Sequence, residues 1–552
     1  MVSVHTDRPT KVRRKKRVYM HQTPSWLDEA VFYEIYPQSF YDSNDDGIGD
    51  IPGITAKLDY ISSLGCNALW INPCFDSPFK DAGYDVRDYT KVAPRYGTNQ
   101  DLVDLFGQAH RRGIHVLLDL VPGHTSEEHA WFASSGRASR NEYSDRYIWT
   151  DSSFEGYPGM PFIGGEAPRD AAYILNFFKC QPALNYGFAA RDRSWQQSPD
   201  DPGPTATRQA MIDVMRFWLS QGCDGFRVDM ADSLVKNDDK EKTATIDTWH
   251  RLFEPIRKEF PQAAFVSEWG KPWQSLEAGF DMDFYLNWRW AGVPNGYNFL
   301  TRNTEDELEG PDDASYFKAD SKTGISDFLA DYLPQYLRSR NLGSFCFITC
   351  NHDTTRLAPR LTPEEIKVAY GMFLTMPGVP FIYYGDEIGM RYQTLPTKEG
   401  GYHRTGSRTP MQWDSSANRG FSKADPTELY LPVDGSPDAP NVADQDGDPE
   451  SLLTFIRQMT TLRSGHQSLR PGADFAVVHA PRHGRSFAYT RTQGDDRLLV
   501  ALNPSRQEED LPLSLVSAGA ADQIPRPLVM VNCDLSQGTL ALRGQSFAVL
   551  AL

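Results

Sequence analysis

HVLLDLVP (115–122) is a short apolar run broken by one acid, Asp119, and stopped by Pro122 and Gly123. A run this short, bounded by turn residues, reads as a strand buried on both faces, the kind a parallel sheet needs. The amphipathic stretch NQDLVDLFGQAHRRG (99–113) leads into it. The same alternation extends in both directions. AVFYEIYP (30–37), NALWINP (67–73), DGFRVDM (224–230), AFVSEW (264–269), SFCFITC (344–350) and VPFIYYG (379–385) read as further buried strands. ITAKLDYISSLG (54–65), RQAMIDVMRFWLSQG (208–222) and TPEEIKVAYGMFLTM (362–376) read as helices. About eight strand–helix units over residues 24–470 predict an α/β fold, a (β/α)8 TIM barrel. The alternative, a doubly wound open sheet, is weakened because no GxGxxG follows the first strand.

Two regions break the rhythm. Residues 124–200 follow the third strand and are rich in Gly, Ser, Asp and aromatics, which predicts an inserted subdomain between barrel portions 24–123 and 201–470. From 471 to 552 the chain changes to short, evenly spaced strand patterns: DFAVVHA (474–480), RSFAYTRT (485–492), RLLVALNP (497–504), PLVMVNC (527–533) and SFAVLAL (546–552). These predict a C-terminal all-β sandwich domain. Residues 1–23, with the basic run from Lys11 to Arg17, read as a disordered, solvated tail.

Composition narrows the function. The 552 residues carry 73 acidic and 56 basic side chains, a net charge of −17, which disfavours a nucleic-acid partner. Hydrophobic residues at 40% exclude a wholly disordered chain. No apolar run is long enough to span a membrane. The N-terminus has no apolar segment after its basic run, so it does not read as a secretory signal. The seven cysteines are scattered without paired spacing. They predict reduced thiols and a cytoplasmic protein without a zinc site. Oligomeric state stays open.

Four acids stand at or just beyond strand ends: Asp119, Asp229, Glu268 and Asp353. In a barrel those ends share one rim, where catalytic loops lie. Arg227, His124 and His352 accompany them. Gathering so much like charge is unfavourable unless a site uses it. Two carboxylates flanking a small polar substrate are what glycoside cleavage requires, one to attack the anomeric carbon and one to protonate the leaving oxygen. The histidines lie on different strands and no HExxH occurs, so catalytic zinc is not expected.

These residues carry a resemblance to a known family. DLVPGHTS (119–126), QPALN (181–185), GFRVD (225–229), SEW (267–269), NHD (351–353), SRTPMQWD (407–414) and GDPESLL (447–453) occur in that order. The chain resembles glycoside hydrolase family 13, the α-amylase family, and within it the oligo-1,6-glucosidase and α-glucosidase branch, over about residues 26–480. The resemblance implies Asp229 as nucleophile, Glu268 as general acid/base and Asp353 as transition-state stabiliser. It implies that Arg227 keeps Asp229 ionised, that His124 and His352 bind the sugar, and that Tyr84 stacks on it. It also implies that Asp85 and Arg408 pair to wall off the pocket beyond the terminal glucose. The activity implied is a retaining, exo-acting α-glucosidase on short oligosaccharides. A transglucosylase or isomerase of the trehalose synthase or sucrose isomerase type uses the same residues, and an inactive binding or transporter subunit is the remote alternative. Gly123, Ala183 and Met230 stand where the branch usually has other residues, which leaves the preferred linkage and the acceptor side open.

One further loop, DSNDDGIGD (42–50), places oxygen-bearing residues at alternate positions with Gly47 at the turn. Asp42, Asn44, Asp46, the Ile48 carbonyl and Asp50 form a set suited to a hard cation. The alternative is a plain acidic turn, since Gly53 stands where an EF-hand would have its bidentate Glu. The related branch uses this spacing for one structural Ca²⁺, which is expected here.

Overall fold

The structure, a computed structural model, describes residues 22–287, 294–302, 313–482, 484–516 and 525–552. The basic run Lys11–Arg17 lies outside them. Eight parallel strands close into a barrel: β1 (Phe32–Ile35), β2 (Ala68–Ile71), β3 (His115–Leu120), β4 (Gly225–Val228), β5 (Ala264–Ser267), β6 (Met282–Phe284), β7 (Ser344–Phe347) and β8 (Val379–Tyr383). They pair in sequence order, and β8 returns to β1. Seven match strands expected from the sequence. The sixth, MDF at 282–284, is too short to stand out as an apolar run.

The helices outside the barrel start where local chemistry supports them. Thr98 and Thr362 close capping boxes with Asp101 and Glu365, satisfying amides that the first helical turn leaves free. The 54–65 stretch forms two short helices, Ile51–Ala56 and Leu58–Ser63, interrupted at Lys57. Helices Thr243–Glu259, Ile325–Ser339 and Leu452–Gly465 complete the shell, although their patterns were not singled out above.

Between β3 and helix Pro202–Leu219 the chain makes an irregular excursion with one small hairpin, Phe162–Gly164 against Ala172–Ile174. It carries a local core of Ile148, Ile174, Ala183 and Phe188. After residue 473 the described strands β9 (Asp474–His479), β10 (Phe487–Gln493), β11 (Asp496–Asn503), β12 (Glu509–Pro512), β13 (Arg526–Ser536) and β14 (Thr539–Ala551) form one antiparallel network. Their period-2 alternation assigns the two faces. Tyr489, Val500, Phe547 and Val549 join the barrel's core, while Ala488, Leu499, Ala501 and Leu550 pack with Leu511 and Leu540 in a second core. Gly371 permits that docking, since a Cβ there would lie 2.6 Å from the Phe547 ring. Among the described residues, no helix is long and apolar enough to cross a membrane. All seven cysteines are free, and six are buried.

Candidate active site

The site begins inside the barrel, at Arg227 on β4. Registered pairing places Asp119 of β3 directly opposite it. Arg227 Nη1 donates to Asp119 Oδ1 at 2.9 Å and to Asp229 Oδ1 at 3.0 Å, and Nη2 lies 2.9 Å from Glu268 Oε2. One guanidinium thus holds three carboxylates from three successive strands. Arg227 and Asp229 share a face because strand side chains alternate. Beneath them Trp70 Nε1 and the Tyr84 hydroxyl, each at 3.1 Å, donate to Asp119 Oδ2. Met230, directly after Asp229, has φ of 42°, which a non-glycine residue rarely adopts. That turn aims its amide at Glu268 Oε2, 3.1 Å away. Backbone strain of this kind gathers at functional sites.

Electrostatics separate the acids. Burial raises Asp119 to about 6, against the pull of Arg227. Burial and the neighbouring Glu268 charge push Asp229 well above the carboxylate range, again opposed by Arg227. Arg227, hydrogen-bonded to Asp229, is the neighbour that favours its ionised form, the form a nucleophile needs. Asp353 differs. Burial works against its ionisation, but the Arg404, Arg408 and Arg227 guanidinium charges outweigh that and hold it below the usual range. Arg408 Nη2 reaches Asp353 Oδ1 at 2.5 Å, and Arg404 Nη1 reaches it at 3.2 Å.

Both histidines are buried and held neutral. Burial takes His124 down to about 3 and His352 well below its ordinary value. His352 Nδ1 lies 2.8 Å from Glu34 Oε1, and its Nε2 meets the Tyr84 hydroxyl at 2.5 Å. His124 Nε2 lies 3.1 Å from the Tyr84 carbonyl, and Asn176 Nδ2 lies 3.0 Å from His124 Nδ1. Those partners assign the tautomer: Nε2 donates and Nδ1 accepts. Asn176 fills the space beside Gly123, where a Cβ would lie 2.8 Å from its Nδ2.

A cavity of about 820 Å³ opens above these groups. Tyr84, His124, Asp229, Glu268 and Asp353 line it. The expected Asp85–Arg408 wall does not form. Asp85 is fully buried, and its carboxylate accepts from the Ser77 hydroxyl and the amides of Lys80 and Asp81. Arg408 is committed to Asp353 and the His352 carbonyl. The residues four positions earlier, Asp81 and Arg404, line the cavity instead and face each other at 3.4 Å. Sequence reasoning missed them because Asp81 lies outside the GYD phrase and Arg404 outside SRTPMQWD. It also missed Phe177, Phe178, Tyr402 and Lys271 on the cavity wall, which carry no motif.

In the 42–50 loop, Asp42 Oδ1 accepts from the Asn44 and Asp45 amides and Oδ2 from the Gly47 amide. Asn44 and Asp46 fold back in the same way onto the amides of Asp46 and Ile48. Asp50 caps helix Ile51–Ala56 through the Gly53 amide. Among the described residues, no three His, Cys, Asp or Glu side chains gather as a metal group. The loop's donors are mixed: carboxylates, an amide oxygen and a carbonyl. These are the donor types a hard cation takes, while the Asp42 and Asp50 carboxylates here already accept from neighbouring amides and the Ser43 and Ser422 hydroxyls.

A closed parallel barrel with carboxylates converging at the C-terminal ends of its strands defines a barrel enzyme with its site on that rim. The chain belongs to the α-amylase family, glycoside hydrolase family 13: the model for the alpha amylase catalytic domain matches residues 34–472. It is 34% identical over 545 residues to a trehalose synthase/amylase of Mycolicibacterium smegmatis, covering 89% of this chain and 86% of that protein. It is 31% identical over 538 residues to an oligo-1,6-glucosidase of Heyndrickxia coagulans, covering 87% and 92%. Among solved structures, a mutant isomaltulose synthase from Erwinia rhapontici NX5 with sucrose, its natural substrate, is similar with TM-score 0.77 and 25% identity, over 96% of this chain and 100% of that one. The family is therefore one of glucosidases and glucosyl-transfer enzymes.

Proposed function

We propose that this protein is a retaining, exo-acting α-glucosidase that removes terminal glucose from short α-glucosides. One observation carries the reading: Arg227 holds Asp229 and Glu268 together on the floor of a pocket walled by Asp81 and Arg404. In this reading Asp229 attacks the anomeric carbon as its bond to the leaving oxygen breaks, and Glu268 gives that oxygen its proton. Glu268 then takes the proton of the incoming water while the glucosyl–Asp229 bond breaks. Carboxyls that share one guanidinium favour direct attack over an intervening water, which needs a separation of about 6.5–9.5 Å. Asp353, kept ionised by its arginines, accepts hydrogen bonds from sugar hydroxyls. The Asp81–Arg404 wall blocks chain from continuing past the terminal glucose.

A second reading is supported by the named relatives, a trehalose synthase and an isomaltulose synthase: a sugar hydroxyl in place of water captures the intermediate. Free cysteines throughout support a reducing, cytoplasmic setting. We also propose one structural Ca²⁺ in the Asp42–Asp50 loop.

Incubation with maltose, isomaltose, sucrose and trehalose, followed by proton NMR, tests the assignment. Free glucose should appear first as the α-anomer. A β-anomer would overturn retention, and a rearranged disaccharide without net glucose would make the isomerase reading correct.

A further inference from the structure

Beneath the pocket lies an acid that borders no part of it. Glu34, on β1, is fully buried, and register sets it between Trp70 of β2 and Tyr383 of β8. Its Oε1 lies 2.8 Å from His352 Nδ1 and accepts from Asn72 Nδ2 at 3.2 Å. Its Oε2 has no hydrogen-bond partner among the described residues. Among those residues no lysine or arginine is paired with it, and its one charged-type contact is His352. An ionised carboxylate with a bare oxygen is costly in so dry a place, and a neutral carboxyl is far less so.

The hydrogens around His352 can be counted. An ionised Asp119 only accepts, so the single Tyr84 hydroxyl hydrogen goes to its Oδ2 at 3.1 Å. The Tyr84 oxygen then accepts from His352 Nε2, 2.5 Å away. A neutral imidazole carries one ring hydrogen, which leaves a lone pair on Nδ1. Asn72 Nδ2, which can only donate, stands 3.1 Å from that lone pair. Glu34 Oε1 is nearer still, and two acceptors do not sit 2.8 Å apart without a hydrogen between them. The hydrogen therefore belongs to Glu34. Burial favours the same form: it raises Glu34 well above the carboxylate range against the pull of Asn72 and Arg227, and the Asp119 charge adds to it. On the β8 side Tyr383 is pushed up by burial and stays neutral.

We propose that Glu34 is a positioning residue: its protonated carboxyl donates to His352 Nδ1 and so fixes the Nε2–H tautomer that orients Tyr84 and Asp353. A carboxylic acid kept neutral by its surroundings can donate where a carboxylate cannot. The donors run in one direction, from Glu34 to His352 to Tyr84 to Asp119. His352 Nε2 also lies 3.4 Å from Asp353 Oδ2. His352 is itself fully buried, so it acts through Tyr84 and Asp353, which line the cavity. An ionised Glu34 would draw the ring hydrogen to Nδ1. The Nε2 lone pair would then face the Asp353 carboxylate and pull the Tyr84 hydroxyl away from Asp119. The effect on turnover rests on the glucosidase reading above, whereas the tautomer does not.

The test compares wild type, Glu34→Gln and Glu34→Leu. Gln can donate to Nδ1 but cannot ionise, and Leu can do neither. With isotope-labelled histidine, nitrogen NMR should show His352 in the Nε2–H form in wild type and Glu34→Gln, and a mixture of both forms in Glu34→Leu. On maltose at neutral pH, Glu34→Leu should lose about ten-fold or more in kcat/KM, the worth of one hydrogen bond, and Glu34→Gln should recover most of it. On α-glucosyl fluoride, whose leaving group needs no proton, wild-type kcat/KM should fall at alkaline pH as Glu34 ionises, and Glu34→Gln should lack that fall. A wild-type His352 in the Nδ1–H form would overturn the proposal. So would a pure Nε2–H form in Glu34→Leu, which would give the role to Asn72, or identical pH profiles in wild type and Glu34→Gln. If Glu34→Leu does not fold, the wild-type spectrum and the Glu34→Gln profile decide. If wild type turns over neither substrate, the glucosidase reading fails, and the histidine spectra alone decide Glu34.

Discussion

The floor and the mouth of the pocket come from different kinds of chain. The floor is set by strand ends: Asp119, Arg227, Asp229 and Glu268 sit on or just past β3, β4 and β5, and hydrogen-bonded register aligns them. The mouth is set by long connections: Phe177 and Phe178 lie after β3, Lys271 after β5, and Tyr402 and Arg404 after β8. Register leaves the floor little freedom to vary. Connections can be rebuilt without disturbing the barrel, so they are where one floor acquires different substrates. Relatives named as a glucosidase, a trehalose synthase/amylase and an isomaltulose synthase fit this division of labour.

The largest expected effect is on the floor. Asp229→Asn should lower kcat by at least roughly 10⁴-fold, as loss of a nucleophile does. Single-turnover measurements should show no glucosyl–enzyme intermediate. Activity within ten-fold of wild type would move the nucleophile elsewhere and dissolve the contrast between a floor set by strand register and a mouth built from connections.

The same contrast explains what was legible. The barrel strands announced themselves as apolar runs because both faces are buried, and the strand-end acids stood out because charge is rare there. The three-residue β6 was hidden because it is shorter than any run that periodicity can register. Helices Thr243–Glu259 and Ile325–Ser339 each carry an internal proline, Pro255 and Pro334, which obscures a helical reading. Asp81 and Arg404 were displaced by Asp85 and Arg408 because only tertiary placement shows which of two nearby charges is turned inward. Asp85 is taken up by the amides of Lys80 and Asp81, a local arrangement that residue spacing does not encode.

The wall between floor and mouth gives the next effect. Asp81 is raised to about 6, chiefly by burial and against the pull of Arg404 and Arg408, while Gln181 donates to it at 2.7 Å. Its carboxyl is therefore ionised above that pH and neutral below it. KM for maltose should rise as pH falls through about 6, as the charged pairing with Arg404 is lost. Asp81→Asn should lower kcat/KM by roughly 10–100-fold, the range of a lost charge-assisted hydrogen bond, and should flatten that pH dependence of KM. A variant that instead releases mixed long oligosaccharides early from amylose would show that the wall alone enforces exo action. An unchanged KM profile would remove Asp81 from substrate binding.

The smallest effect belongs to a loop that serves neither floor nor mouth. The Asp42–Asp50 turn is closed by its own amides, so the fold does not depend on an ion to form it. A cation bound there would add stability only through its affinity, about 2.7 kcal/mol at a hundred-fold excess over Kd. In a chain of 552 residues a change of that size moves the melting temperature by only a few degrees. Chelation should thus lower Tm by roughly 2–5 °C and leave kcat at 25 °C unchanged, because Asp42 pairs with Ser422 and the loop's own amides and not with any pocket group. Asp46→Ala should remove the response to chelator. That side chain is exposed and holds only the Ile48 amide and the Asn44 side chain, so its loss leaves the buried Asp42 turn standing. A Tm indifferent to chelator, with no calcium found by metal analysis, would make the loop an acidic turn and nothing more. A fall in kcat on chelation would tie this loop to the floor after all.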